Sequence, residues 1–179
     1  MAYFPRFLTT EVGKRLFLKV LNGQTMNFTR MSVGVGELPP GESFSDRASL
    51  VDSLDWVSIT GRTERLPDTL ALEGPFLNTG LTDGLWLKEM GVHADDPDEG
   101  EILYAYTNAG DMASWIPPEA EGVFTHLLEA NIIVANLANI TVTLDPAGIV
   151  TRVMLDEANS WIQMDGAAGF DKWLAKQGG

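Results

Sequence analysis

The sequence predicts an α+β fold with an N-terminal helix, a largely antiparallel β-sheet or sandwich core and a C-terminal amphipathic helical segment. Three observations predict it: a helical apolar period at the start, strand patterns through the middle, and a helical period again at the end. In the first element Val12, Leu16 and Val20 recur every four residues, with Phe17 and Leu21 beside them. Thr9 or Thr10 supplies the hydroxyl that caps it. Lys14, Arg15 and Lys19 take the other faces, bases near the end suiting the helix dipole. Asn22-Gly23 is the left-handed stop.

From Met26 the period changes to two. Met26, Phe28, Arg30 and Ser32 alternate with Asn27, Thr29, Met31 and Val33, and neither face is fully apolar. Gly34-Val35-Gly36 and Leu38-Pro39-Pro40-Gly41-Glu42 read as a loop. A short helix is expected over 46–54, with Ala48, Val51 and Leu54 inward. The runs 56–63 and 70–78 are expected to pair around residues 64–68. A second pair is expected from 85–92 and 102–106, the Asp95-Asp96-Pro97-Asp98-Glu99-Gly100 run forming a solvated turn between them. Residues 123–134 read as a long apolar strand, and Ile140, Val142 and Leu144 as a half-buried one ended by Pro146 and Gly148. In the tail Leu155, Ala158, Trp161 and Ile162 share a face, Asp165-Gly166 and Gly169 interrupt it, and Phe170, Trp173 and Leu174 form a second amphipathic turn.

Composition narrows the function. The chain has 179 residues, the length of one domain with a short appendage at 151–179. Hydrophobic residues make up 45%, enough for a core. With 25 acids against 12 bases the net charge is −13, which argues against nucleic acid and against an anionic membrane surface. Zero cysteine removes disulfides, thiol catalysis and zinc-thiolate sites. There is no basic leader before an apolar block, and no apolar run of membrane-spanning length, so a soluble protein made in a cytosol is expected, with no membrane insertion.

Catalytic, cofactor-binding and metal-binding residues are not expected. His93 and His126 lack a ligand partner at zinc-site spacing and read as ordinary surface or strand histidines. The acidic run places Gly100 one residue early for a calcium loop and Thr107 at its last position, so it reads as a hairpin tip kept soluble by charge. Gly34-Val35-Gly36 has Pro39 where a dinucleotide loop needs its third glycine, and no Gly-x-Ser-x-Gly elbow occurs. Five Trp is the unusual count. Trp86 and Trp115 read as core or sheet-edge packing. In the appendage, Trp161, Ile162, Phe170, Trp173 and Leu174 are the candidate partner contacts, because aromatics without a local core are common contact anchors; folding back on the domain's own sheet is the even alternative.

One set of strings carries a resemblance. Asn78-Thr79-Gly80-Leu81-Thr82-Asp83-Gly84, then residues 87–94 and 95–106, continue into Asn108-Ala109-Gly110-Asp111, Trp115-Ile116-Pro117 and residues 136–141. With Leu8-Thr9-Thr10-Glu11-Val12-Gly13, residues 28–34 and Gly36-Glu37-Leu38-Pro39, these make 1–150 resemble the phage tail-collar fibre family, the N-terminal, baseplate-attaching domain of tail fibres of contractile-tailed phages. The resemblance implies a virion structural protein, made in the bacterial host cytoplasm and carried on the tail or baseplate. It implies baseplate proteins and a fibre or receptor-binding protein as partners, and a homo-oligomer, a trimer ahead of a dimer. The expected role is therefore a tail-fibre adaptor in host attachment. A carbohydrate-binding protein of the particle is the alternative, and a cell-wall hydrolase ranks with it below the adaptor.

Overall fold

The computed structural model describes Phe4 and residues 6–65, 68–134 and 139–146. Contacts divide the chain between Leu144 and Asp145, and the fold below is that of the first unit. Among the described residues the chain forms β1 (Leu8–Thr9), α1 (Glu11–Leu21), β2 (Met26–Gly34), β3 (Ser53–Ser58), β4 (Gly61–Arg65), β5 (Thr69–Leu77), β6 (Leu85–Leu87), β7 (Glu89–Asp96), β8 (Gly100–Asn108), β9 (Ser114–Ile116), β10 (Thr125–Ile133) and β11 (Ile140–Val142). This corrects the α+β expectation. Among the described residues the protein is mostly β, because strands from two sheets supply nearly all of the core and α1 adds only Leu16 and Val20 to it. The expected C-terminal helical segment lies outside the described residues, as does the whole of 151–179.

The larger sheet runs β1-β8-β7-β2, and the far edge of β2 is shared. Its C-terminal half takes β3 antiparallel (Arg30 opposite Ser58), and its N-terminal half takes β11 parallel (Ile140 opposite Met26). The second sheet is β10-β5-β4, antiparallel throughout. Phe28, Met31, Val33 and Val57 from the first sheet and Leu70, Leu72, Leu128 and Ala130 from the second belong to one buried cluster. Gly74 on β5 marks a close approach: a Cβ there would stand 2.3 Å from the Ser58 carbonyl oxygen.

Several expectations are corrected by long-range pairing. The run 56–63 is not one strand. The chain leaves β3 in the first sheet and enters β4 in the second, turning at Ile59-Thr60, where the Thr60 N–H donates to the Glu73 carbonyl at 2.8 Å. The run 85–92 divides at Lys88, whose N–H donates to the Gly34 carbonyl at 3.0 Å; β6 pairs with β9 and only β7 joins the main sheet. The helix expected over 46–54 is absent. A single 3-10 turn covers Phe44–Asp46, and residues 51–52 form a bend ahead of β3, held by backbone and carboxylate bonds described below.

The uneven alternation of β2 is explained by a β-bulge between Phe28 and Arg30. Met26 and Phe28 enter the core, the phase slips by one, and Met31 and Val33 enter it afterwards. Thr29 and Arg30 are thereby both turned toward Glu101. A second bulge lies in the β7–β8 ladder, where Val92 faces Ala105 but His93 faces Leu103. Tyr104 packs edge-on against Phe28 in the core, while Tyr106, two residues on, packs against Phe44 in a separate cluster with Leu50 and Leu103.

The helix docks on that second bulge. Thr10 is its cap, accepting from the Gly13 N–H at 3.0 Å and donating its hydroxyl to the Leu103 carbonyl at 2.6 Å. Gly13 lies so close to the Tyr104 carbonyl that a Cβ would stand 2.2 Å from it. The buried stripe is consequently Gly13, Leu16 and Val20, and Leu21, expected on it, is exposed.

Candidate interaction surfaces

Four polar constructions organise the first unit. The innermost is Glu89, which has no solvent exposure. Its carboxylate accepts the N–H groups of Gly36 (2.8 Å), Val51 (2.6 Å) and Asp52 (2.9 Å) and the Tyr106 hydroxyl (2.6 Å). Four donors satisfy a buried carboxylate without a cation. Gly34 and Gly36 have no Cβ because each sits against this carboxylate; a Cβ on either would stand 2.6 Å from Glu89 Oε2. The glycine pair is thus a packing requirement of Glu89, which ties the 35–52 segment over the outer face of the main sheet.

Beside that segment the outer face opens into a cleft of about 530 Å³. Four strands contribute to it: Trp56 from β3, Arg30 and Ser32 from β2, His93 from β7 and Glu101 from β8. The Arg30 guanidinium carbon lies 3.4 Å from the centre of the Trp56 ring, and its Nη2 donates to Glu101 at 2.5 Å. Thr29 donates its hydroxyl to the same carboxylate at 2.6 Å, and these bonds hold Glu101 below the usual carboxylate range, Arg30 contributing most. His93 packs edge-on against Trp56, and its Nε2 lies 2.8 Å from the Ser32 Oγ. Burial pushes the imidazole down to about 4; the Glu101 charge opposes this and the Arg30 charge adds to it. A serine beside a histidine invites comparison with a nucleophile and its base. Here Ser32 is only 1% exposed, and a base of that pKa accepts a proton poorly at neutral pH. The pair is a buried structural bond.

At another part of the unit, β6 and β9 form a two-stranded ladder that sets Trp86 directly opposite Trp115. Their ring centres are 5.3 Å apart, and the two residues are 53% and 48% exposed. Of the core or sheet-edge packing expected for them, the structure shows the second: they are a surface pair on the two strands of a short sheet. The indole of Trp115 lies over Gly84, where a Cβ would come within 2.1 Å of it. The loops flanking the ladder are laced by buried Asn78. Its side-chain NH2 donates to the carbonyls of Pro117 (3.1 Å) and Gly122 (2.9 Å), and its Oδ1 accepts the Phe124 N–H at 2.7 Å. Glu119 closes the lacing by accepting the Gly80 N–H at 2.7 Å. Leu77, Val123 and Phe124, carried on the same laced segments, are also exposed.

The acidic hairpin tip is internally engaged. The Asp96 carboxylate accepts Lys19 Nζ at 2.6 Å and the N–H groups of Asp98 and Glu99, while Lys19 also reaches Asp98 at 2.8 Å. The tip is therefore fastened to the helix. His93 lies within β7; His126 lies within β10, and its Nε2 is enclosed without a hydrogen-bond partner among the described residues. The candidate contacts Trp161, Ile162, Phe170, Trp173 and Leu174 lie outside the described residues. Trp56 and its partner Arg30 were not singled out by sequence reasoning. Their only local sign is the uneven alternation around Thr29. Val123 and Phe124 carried no sign beyond being apolar.

No protein-family model, no curated protein and no solved structure matches this chain. No helix among the described residues is long and apolar enough to cross a membrane.

Proposed function

We propose that this chain is a structural virion protein, an adaptor that links the baseplate of a contractile tail to a fibre or receptor-binding protein during host attachment, and that it works as a homo-oligomer. The observation that carries this reading is the Trp86–Trp115 pair, two large half-exposed rings on a short ladder whose flanking loops are fixed by Asn78 and Glu119. Rigid exposed aromatics are the residue type that most often anchors one protein on another. The support from sequence is the resemblance of 1–150 to tail-collar fibre domains. Two of its strings, residues 78–84 and 115–117, form the laced frame of that pair.

The adaptor role is tested in particles carrying either Trp86→Ser/Trp115→Ser or a chain truncated after residue 150. Each is expected to give baseplates that lack fibres in negative-stain micrographs and no longer adsorb to cells. Normal fibre occupancy in both would refute the reading.

A second reading, direct glycan binding, is favoured by the cleft, where Trp56 offers a half-exposed ring beside the Arg30–Glu101 pair. Binding to a glycan array that disappears in Trp56→Ala would support it, and an array without signal removes it.

A further inference from the structure

The exposed apolar residues are unevenly distributed. Thirteen large hydrophobic side chains are exposed among the described residues, and six of them, Leu77, Trp86, Met112, Trp115, Val123 and Phe124, fall within residues 77–87 and 109–124. These two segments carry Asp83, Asp111, Glu119 and Glu121 and not one Lys or Arg. All four acids are exposed. The next base along the chain, Lys88, has its charge paired, its Nζ bonded to the Glu37 carboxylate. Along these segments exposed apolar side chains therefore alternate with exposed acids, which supply the border of the face, on a chain whose net charge is already −13.

That border discriminates between occupants. A second copy brought face to face would set acids against acids around a buried apolar centre, where repulsion is weakly screened. A partner with the same apolar centre and a border of Lys and Arg would instead find complementary charge. Resting on the adaptor reading for its biological use, we infer that the Trp86–Trp115 face is the docking site for a different protein, one that presents an aromatic or aliphatic knob bordered by basic side chains. Self-association of the chain takes place elsewhere on its surface. Trp86 and Trp115 supply the contact area, and Asp83, Asp111 and Glu121 supply orientation and association rate. Glu119 serves both, since its carboxylate also holds Gly80.

The test uses the isolated full chain, so that a failed docking and a failed particle assembly are read separately. Two labelled peptides of about a dozen residues share one Leu-Trp-Ile centre and differ only in flanks, Lys/Arg in one and Glu in the other; binding is followed by fluorescence polarisation. The basic peptide is expected to bind and the acidic one not. Trp86→Ser/Trp115→Ser should weaken the basic peptide by about thirtyfold, the size of a hot-spot loss. Asp83→Asn/Asp111→Asn/Glu121→Gln, which spares the Gly80 contact, should flatten the salt dependence, seen in the parent as a loss of roughly tenfold between low and physiological ionic strength. Circular dichroism confirms that each variant is folded. Equal binding of both peptides, basic-peptide binding indifferent to the tryptophans, or no binding at all overturns the inference. So does self-association by sedimentation velocity that the tryptophan variant abolishes, which would make the occupant a second copy.

Discussion

The Tyr106 hydroxyl donates to the Glu89 carboxylate at 2.6 Å, and neither residue has measurable exposure to solvent. The same carboxylate receives three backbone N–H groups from residues 36, 51 and 52, so a single buried side chain organises both ends of a seventeen-residue segment.

Glu89→Gln keeps the size but replaces one acceptor oxygen with an NH2 that faces N–H donors. Stability should fall by about 2–4 kcal/mol, the cost of leaving buried donors unmade. Amide hydrogen exchange at Gly36, Val51 and Asp52 should accelerate while the β7–β8 ladder stays protected. Urea denaturation and exchange measurements check both.

His93 introduces a pH dependence of defined sign. Its imidazole is held near 4 in the folded protein against an ordinary value of 6.5. Between those values the unfolded chain binds a proton that the native state refuses, so stability is fully present above about pH 6.5 and declines as pH falls toward 4. The accumulated loss is about 3 kcal/mol. Urea midpoints measured from neutral to acid pH should show this slope in the parent and a shallower one in His93→Asn, where burial of His126 still contributes in the same direction.

Gly13→Ala should destabilise the protein, although alanine is the better helix former by about 1 kcal/mol. The new Cβ would collide with the Tyr104 carbonyl, which belongs to the β8 backbone and has no rotamer to yield. A net loss of about 1–3 kcal/mol is expected from forcing helix and strand apart. A raised thermal midpoint in this variant would disprove the close docking of helix and sheet.

Asn78→Ala removes three bonds that join two loops, leaving the Phe124 N–H and two carbonyls without their partner. The expected loss is about 2–4 kcal/mol. Limited proteolysis should begin within 117–124, and binding at the tryptophan face should weaken because its frame has loosened. Cleavage unchanged from the parent would show that Asn78 does not hold the loops.

Legibility in the sequence followed the range of the interactions. The N-terminal helix was legible because its cap, apolar period and Asn22-Gly23 stop all lie within fourteen residues of one another. The β7–β8 hairpin was legible for the same reason, its turn chemistry sitting between the strands it joins. The two-sheet division was not. Trp56 and Thr63 lie in one apolar-patterned run, yet one strand pairs with β2 and the other with β5, a choice made by neighbours far along the chain.

The tryptophan face marks the same boundary. Sequence alone established a β-rich middle, an acidic surface, a helical start and the chemistry that a cysteine-free chain forgoes. Those properties depend on composition and on contacts between near neighbours. Tertiary structure alone decided that Trp86 meets Trp115, that Arg30 reaches Trp56 through a bulge, and that Glu89 is a buried anchor and not a surface acid. A side chain's environment is built by residues that the fold brings from elsewhere, and no local pattern in the chain records which ones arrive.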